Sequence, residues 1–291
     1  MTGGRVIGID LGGTKILAGV LDRSGGLESV TERLTPTASQ DVLLDALVEV
    51  VDELRTPEIQ AVGFGVPARI DPRTGIAFGA VNTPLEYVAL QDVLESRLRL
   101  PVGAINDGGA AALAEFVYGA GRGSRDLVLL TLGTGVGGGL VFDGELYRGW
   151  AEVGHMVIVE DGEPCQGACT GRGHVESYCS GLAADRVARE VIGPGATARD
   201  LVEQRHPALD QIGRRLGAAV SSLVNLFDPD VVVIGGGFGV AAGERLLGPA
   251  RQVMLREALA PGGEEVRLAV AELGEAAGVI GAGLVAFEAL G

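Results

Sequence analysis

Apolar residues follow two patterns along the chain, short uninterrupted runs and longer segments in which they recur every three to four positions. The short runs predict strands at 61–66, 102–105, 156–160, 231–234 and 266–270. The periodic segments predict helices at 41–55, 90–100, 108–118, 209–227, 244–260 and 276–290. Residues 68–84 are rich in turn residues and predict a loop. This alternation of strands and helices is typical of an α/β fold.

Two further apolar runs, residues 6–22 and 127–143, are interrupted by glycine and then resume, which predicts strand, tight turn and strand. They align with one constant offset, which places Asp10 on Thr131 and Gly12 on Gly133. Glycine allows a phosphate to approach the backbone N–H groups of such a turn. Plain hairpin geometry would explain either copy alone. The repetition favours a duplicated α/β unit whose two turns face one cleft and bind the phosphates of a nucleotide.

Two other phosphate motifs are excluded by the residues around the glycines. A dinucleotide-binding turn is followed at once by a helix, whereas residues 140–144 predict strand and hairpin. The first turn lacks the G-x-x-x-x-G-K spacing of a P-loop. A third glycine turn, 235–237, either surrounds an adenosine or provides a close strand–helix contact. The candidate nucleotide-binding residues are Asp10, Gly12, Gly13, Thr14, Lys15, Thr131, Gly133, Thr134, Gly135, Gly235, Gly236 and Gly237.

Asn106 and Asp107 stand between a predicted strand and the helix that follows it. Either residue is an ordinary helix N-cap, and one of them would suffice for that purpose. A carboxylate at the end of a parallel strand is also where a general base would lie in an α/β fold. The residues alone leave both interpretations open.

Histidine and cysteine residues cluster in a glycine-rich stretch between positions 155 and 174. His155, Cys165, Cys169 and His174 supply the nitrogen and sulfur ligands of a closed tetrahedral zinc site. The competing interpretation is a chance grouping. Cys179, the remaining cysteine, falls in a helical pattern and is predicted to be buried.

Composition narrows the class of protein. The chain has 291 residues, of which 47% are hydrophobic, and this is enough for two packed domains. A formal net charge of −15 opposes binding to a polyanion, so we expect no nucleic-acid partner. No apolar run has the length of a membrane span, and no basic signal region precedes the first strand. We therefore expect a cytoplasmic protein without a membrane partner.

Taken together, these motifs resemble the ROK family (repressor, open reading frame, kinase), and within it the bacterial glucokinase branch. Residues 10–15 resemble its DLGGTK phosphate motif, and residues 132–139 resemble its second phosphate motif. Residues 106–107 resemble its catalytic Asn–Asp pair. Residues 152–155 match its E-x-G-H motif, and residues 169–176 resemble its cysteine-rich zinc motif.

The chain departs from the family pattern in the loop 161–175, called the metal loop below, and after the predicted strand 61–66. His174 replaces the last cysteine of the zinc motif, and Cys165 precedes Cys169 by four residues rather than two. Ala68 stands where many members have glycine, and the aromatic residue often found after the region of Asn82 is missing. Family repressors carry an additional N-terminal helix-turn-helix region, for which the stretch before the first strand leaves no room. The kinase interpretation is therefore favoured.

The resemblance implies a two-domain actin-like ATPase fold, similar to ribonuclease H, with duplicated α/β units and a cleft between them. The implied domains are a smaller one at 1–115, completed by the helix 276–291, and a larger one at 116–275 that contains the zinc loop. The implied activity is phosphorylation of the 6-hydroxyl of a hexose by ATP with Mg²⁺, with glucose as the first candidate. Another hexose, an N-acetylhexosamine, or a sugar-responsive regulator without turnover remain alternatives.

The resemblance also assigns roles to individual residues. Asp107 would be the catalytic base, and Asp10 would hold Mg²⁺ through water. Lys15 would either add positive charge near the phosphates or remain a solvated surface lysine. A structural zinc ion and a homodimer or homotetramer are implied as well. The implied sugar-binding residues are Asn82, Asn106, Asp107, Glu152, His155 and Glu176.

Overall fold

The structure is a computed structural model that describes residues 4–79 and 83–291. Its strands are β1 (Arg5–Leu11), β2 (Lys15–Leu21), β3 (Leu27–Leu34), β4 (Ile59–Val66), β5 (Arg69–Ile70), β6 (Ile76–Phe78), β7 (Val88–Ala89), β8 (Val102–Asn106), β9 (Leu127–Leu132), β10 (Val136–Phe142), β11 (Glu145–Leu146), β12 (Val231–Gly235) and β13 (Arg267–Val270). Its α-helices are α1 (Gln40–Leu54), α2 (Leu90–Leu98), α3 (Asp107–Tyr118), α4 (Glu176–Cys179), α5 (Gly181–Val191), α6 (Ala198–Glu203), α7 (Ala208–Phe227), α8 (Gly237–Ala242), α9 (Glu244–Glu257), α10 (Gly262–Glu265) and α11 (Ala276–Glu288). None of these described helices is both long and apolar enough to cross a membrane.

The first compact unit comprises Met1–Ala114, Tyr147–Trp150 and Ala276–Gly291. Its main sheet has the strand order β3-β2-β1-β4-β8, in which β1 and β2 form an antiparallel hairpin and β4 and β8 continue in parallel. Helix α11 packs on this sheet so closely that a Cβ at Gly63 would lie 1.8 Å from the carbonyl oxygen of Ala282. Glycine at this position therefore permits the strand–helix contact that supports the ends of β1 and β4.

The second unit comprises Glu115–Leu146 and Ala151–Glu275. Its sheet has the order β11-β10-β9-β12-β13, with β9 and β10 in an antiparallel hairpin and β12 and β13 in parallel. The apolar faces of α7 and α9 complete the core over these strands. The two helices approach each other closely, since a Cβ at Gly217 would lie 2.6 Å from the carbonyl oxygen of Ala250.

The two main sheets repeat one arrangement, a hairpin with an outer strand on one side and two parallel strands on the other. This confirms the duplicated α/β unit that the glycine hairpins predict. The hairpins differ in register, because Leu11 pairs with Ile16 whereas Leu132 pairs with Val136. The second connection is therefore one residue shorter, and the constant offset of the sequence alignment does not describe the pairing of the returning strands.

Several segments differ from the sequence-based predictions, among them α6, α8 and β11, which were not predicted. Residues 68–84, predicted as a loop, contain the antiparallel strands β5 and β6, and β6 pairs with β7 just beyond this segment. All three strands are too short to produce a hydrophobic period. The strand predicted at 156–160 is wrong: these residues, all described, form no strand, and Val157 makes only an isolated bridge with His174. Val157 is 61% exposed and has no sheet to pack on. The pattern also missed β3, whose side chains are mostly exposed.

Candidate active site

One hydrogen bond within the turn and two from Thr35 fix the first glycine turn, residues 12–15. The Gly12 amide donates to the carbonyl oxygen of Lys15 at 2.9 Å, so this amide is used within the turn. The Thr35 hydroxyl donates to the carbonyl oxygen of Gly12 at 2.7 Å, and the Thr35 amide donates to that of Thr14 at 3.0 Å. The amides of Gly13 and Thr14 have no acceptor among the described residues. They are the donors that the turn can offer to an anion.

Thr35 belongs to the candidate site but carries no signal in the sequence that would identify it. It is 8% exposed and fixes the turn by two hydrogen bonds, but in the sequence it only begins a polar stretch before α1. Lys15 forms an ion pair with Glu32, with Nζ 3.1 Å from Oε2. This pairing fits a surface lysine, while the effect of the Lys15 charge on the pKa of Asp10 fits a positive charge near the turn, so both interpretations of Lys15 stay predictions.

Asp10 lies on β1 immediately before this turn, in a half-buried position. Burial, and then the charge of Asp107, raise its pKa to about 7, while Lys15 acts in the opposite direction. Its carboxylate also rests against α11, because a Cβ at Gly278 would lie 2.3 Å from Oδ2. Because burial and the charge of Asp107 disfavour the ionised form of Asp10, this carboxylate is a suitable ligand for a divalent cation, which would stabilise that form.

Asn106 ends β8 and Asp107 begins α3. The Gly108 amide donates to Oδ1 of Asn106 at 3.0 Å and to Oδ1 of Asp107 at 2.7 Å, so both side chains cap the helix. Nδ2 of Asn106 also donates to the carbonyl oxygen of Ala68 at 3.3 Å, which holds the pair against the end of β4. Capping fixes the Asp107 carboxyl group at the strand end, where the predicted base would act.

The second glycine turn, residues 133–135, is fixed by neighbours that are distant in sequence. The Gly133 amide donates within the turn to the carbonyl oxygen of Gly135 at 3.0 Å. The Gly181 amide donates to the carbonyl oxygen of Gly133 at 2.7 Å, and the Val136 amide donates to Oε2 of Glu176 at 2.9 Å. Thr134 and Gly135 have backbone amides without an acceptor in the described part of the chain. This turn therefore offers the same kind of donors as the first one.

The third glycine turn lies beside the second, because Gly235 pairs with Thr131 across β12 and β9. Gly236 has a φ of 77°, and a Cβ there would lie 2.5 Å from backbone atoms of Leu132. A close backbone contact thus explains Gly236. A Cβ at Gly237 would meet nothing within 4 Å, so the start of α8 has open space beside it.

The predicted metal ligands come together in the second unit. His155, Cys165, Cys169 and His174 place one ligand atom each within 4.8 Å of all the others. Nδ1 of His155 is 3.2 Å from Nδ1 of His174. Sγ of Cys169 is 3.8 Å from Nδ1 of His155 and 3.7 Å from Nδ1 of His174, and Sγ of Cys165 is 3.8 Å from Nδ1 of His155. Ligands on a tetrahedral zinc ion would be separated by about 3.4 Å for two nitrogens and about 3.6 Å for sulfur and nitrogen. The side chains present therefore fit a tetrahedral metal ion.

The candidate metal ligand Cys165 and the spare cysteine Cys179 both have thiols whose pKa is raised by burial. Burial is the main cause that raises the pKa of the Cys165 thiol to about 11, so a cation is needed to hold this group as a thiolate near neutral pH. Cys179 is fully buried, and burial raises the pKa of its thiol to about 12. Its burial confirms the prediction for the spare cysteine.

The predicted sugar-binding residues are distributed over both units. Glu152 is exposed and precedes the short helix Val153–His155, and His155 directs Nδ1 toward the metal cluster. A Cβ at Gly154 would lie 2.1 Å from the carbonyl oxygen of Val136, which explains the glycine between them. Glu176 starts α4 and contacts the second glycine turn. Asn82 lies outside the described residues.

The repeated sheets, their glycine hairpins and the carboxylates of Asp10 and Asp107 define a two-domain protein of the actin-like ATPase class. Comparison with known proteins specifies the family. The ROK family model matches residues 6–289, and the chain belongs to the ROK family. Both the fold class and the family expected from the motifs are thereby confirmed.

Individual relatives match over the full length. The chain is 34% identical to a glucokinase from Streptomyces coelicolor, with 98% of each chain covered. A solved structure of a ROK family glucokinase from Streptomyces griseus, in complex with glucose and AMPPNP, has a TM-score of 0.84 and 32% identity over 98% of this chain and 100% of that one. A ROK hexokinase from Thermus thermophilus has a TM-score of 0.82 and 34% identity over 98% of this chain and 99% of that one.

Proposed function

We propose that the protein is a glucokinase that transfers the γ-phosphoryl group of ATP to the 6-hydroxyl of glucose. The observation that carries this proposal is the full-length match to a glucokinase solved with glucose and AMPPNP. The residues that phosphoryl transfer requires are present in this chain, namely two phosphate turns, a carboxylate for the metal and a carboxylate for the proton.

Each part of the site has a proposed role. The amides of Gly13, Thr14, Thr134 and Gly135 bind phosphate oxygens of ATP, since these are the turn amides that lack an acceptor in the described chain. Asp10 would hold Mg²⁺ through water, and the ion would supply positive charge that balances the charge of the phosphates. Asp107 accepts the proton of the sugar hydroxyl as the new P–O bond forms.

We infer that the sugar is held by Asn82, Asn106, Glu152, His155 and Glu176 together with Asp107. Carboxylates and amides accept and donate hydrogen bonds in fixed directions, and a ring of hydroxyl groups requires such partners. The half-buried position of Asn106 and its bond to Ala68 support this role, because they fix the direction of its side-chain amide.

We propose that the cluster of His155, Cys165, Cys169 and His174 holds one zinc ion with a structural role. Four protein ligands leave no open position for water, and the distances between the ligand atoms suit a tetrahedral ion. We further propose that the protein is cytoplasmic. The family resemblance suggests that it forms a homodimer or homotetramer, and light scattering of the purified protein tests this assembly.

The function is tested by a coupled assay of ADP release with Mg²⁺–ATP and a panel of sugars. Glucose is expected to give the highest kcat/KM, with mannose, fructose, N-acetylglucosamine and N-acetylmannosamine lower. A higher kcat/KM for another sugar would replace glucose as the proposed substrate, while the proposed kinase activity would stand. Calorimetric binding of sugar without any ADP release would instead identify a sugar-responsive regulator and contradict the proposal.

A further inference from the structure

Glu176 connects the metal loop to the second glycine turn. Its Oε2 accepts a hydrogen bond from the Val136 amide at 2.9 Å, and its Oε1 lies 3.6 Å from Sγ of Cys165. Its carbonyl oxygen accepts a bond from Nε2 of Gln166 at 3.1 Å. One half-buried carboxylate thus contacts a backbone amide of the turn and a predicted metal ligand at the same time.

The packing around this carboxylate leaves little freedom to the turn. A Cβ at Gly135 would lie 2.3 Å from Oε2 of Glu176, so the side chain lies directly against the turn. On the other side of the turn, the Gly181 amide holds the carbonyl oxygen of Gly133 at 2.7 Å. Both anchors come from the segment of α4 and α5, which directly follows the metal loop. The position of the turn therefore depends on the position of that segment.

We propose that Glu176 is a positioning residue for the nucleotide, and that the metal loop sets the conformation of the second glycine turn through it. This inference rests on the proposed kinase function. The turn amides of Thr134 and Gly135 point to phosphate only while the turn keeps its shape, and the bond from Val136 to a charged acceptor maintains that shape. Removal of the metal would release Cys165, which contacts the Glu176 carboxylate, and His174, which lies two residues before Glu176. It thereby weakens nucleotide binding as well as sugar binding.

The test measures binding of Mg²⁺–AMPPNP by calorimetry without sugar, for wild type, Glu176→Gln and Glu176→Ala. A hydrogen bond from an amide to a charged group contributes enough that its loss weakens binding at least about 10-fold, which is the effect expected for alanine. Glutamine keeps an oxygen acceptor and is expected to stay within about 3-fold of wild type. Glu190→Ala is the matched control, because this exposed carboxylate on α5 makes no bond to the turn among the described residues and should leave nucleotide affinity unchanged.

Two further measurements separate the linkage from a general loss of structure. Hydrogen exchange of the peptide that contains Val136 is expected to become faster in Glu176→Ala and in metal-stripped wild type, and to remain slow in Glu176→Gln. Stripping the metal from Glu176→Ala is expected to cause little further loss of nucleotide affinity, because the two changes break one linkage.

The outcomes distinguish this inference from the proposed function. If wild type binds AMPPNP and neither the affinity nor the exchange rate changes in Glu176→Ala, the inference is wrong and the kinase proposal stands. If wild type binds no nucleotide, the kinase proposal fails, while the exchange measurement still decides whether Glu176 fixes the turn. If metal removal weakens nucleotide binding by Glu176→Ala as much as it weakens binding by wild type, the metal acts independently of Glu176 and the proposed linkage is wrong.

Discussion

Asp10→Asn tests whether the fold opposes a negative charge at the end of β1. The folded protein raises the pKa of Asp10 from 3.8 to about 7, first by burial and then by the charge of Asp107. Between these two values the unfolded chain has an ionised Asp10, whereas the folded protein keeps it protonated. The folded state therefore binds more protons, and the free energy of unfolding falls as the pH rises through this interval.

The size of the effect follows from the shift. A change from 3.8 to about 7 corresponds to at most about 4 kcal/mol, at about 1.4 kcal/mol per pKa unit. Asparagine cannot ionise, so the variant lacks this contribution. We expect its free energy of unfolding to exceed that of wild type by an amount that grows from about pH 4 to about pH 7 and is constant above about pH 8. Mg²⁺ should reduce the difference, because it stabilises only the ionised carboxylate.

Urea denaturation at a series of pH values measures this difference, with the fluorescence of Trp150 as the signal. Trp150 is the only tryptophan of the chain and belongs to the same unit as Asp10. Asp22→Asn is the control, since hydrogen bonds from Ser24 lower the pKa of Asp22, which shifts its titration away from the range in which folded Asp10 titrates. Parallel stability curves for wild type and Asp10→Asn between about pH 5 and about pH 8 would refute the reasoning.

Three further substitutions test the site, two of them with a control variant. Asp107→Asn should lower kcat by about 10²- to 10⁴-fold in the ADP-release assay and leave the Kd for glucose within a few-fold. Cys169→Ser should reduce the zinc content, measured by atomic absorption, well below one ion per chain, whereas Cys179→Ser should leave it unchanged. Gly236→Ala should lower Tm by several degrees, because its φ of 77° and the backbone of Leu132 at 2.5 Å oppose a Cβ. Gly237→Ala, whose Cβ meets open space, should leave Tm unchanged.

Each of these expectations has a contradicting result. Full turnover in Asp107→Asn would remove that residue from its role as base. Equal zinc content in Cys169→Ser and Cys179→Ser would show that the metal binds elsewhere or is absent. An unchanged Tm for Gly236→Ala would mean that the contact with Leu132 relaxes without cost.

The sequence predicted those parts of the fold that leave a periodic or repeated signal. The amphipathic period of α7 and the two glycine hairpins are such signals, and both were correct. The run 156–160 has the apolar residues of a strand, but no neighbouring strand pairs with it, and pairing cannot be seen from a local pattern. β3 was missed for the opposite reason, because it is an edge strand with polar, exposed side chains.

Within the candidate site, residue types were predictable and contacts were not. The four metal-ligand candidates were identified from their spacing, and the structure brings them together. The bond between Glu176 and the Val136 amide joins residues that are 40 positions apart, and no pattern in either segment indicates it. The same holds for the packing of Gly278 against Asp10, which depends on where α11 returns to the sheet.

The unequal connections of the two hairpins make the halves of the duplicated fold non-interchangeable. A chimera with residues 133–135 in place of residues 12–14, as the constant offset aligns them, would pair Lys15 instead of Ile16 with Leu11. Successive side chains of a strand alternate between its faces, so this slip would turn Ile16 and Ala18 away from the core and place Lys15 and Leu17 there instead. An exchange guided by the sequence alignment would therefore disturb folding before it changed ligand binding.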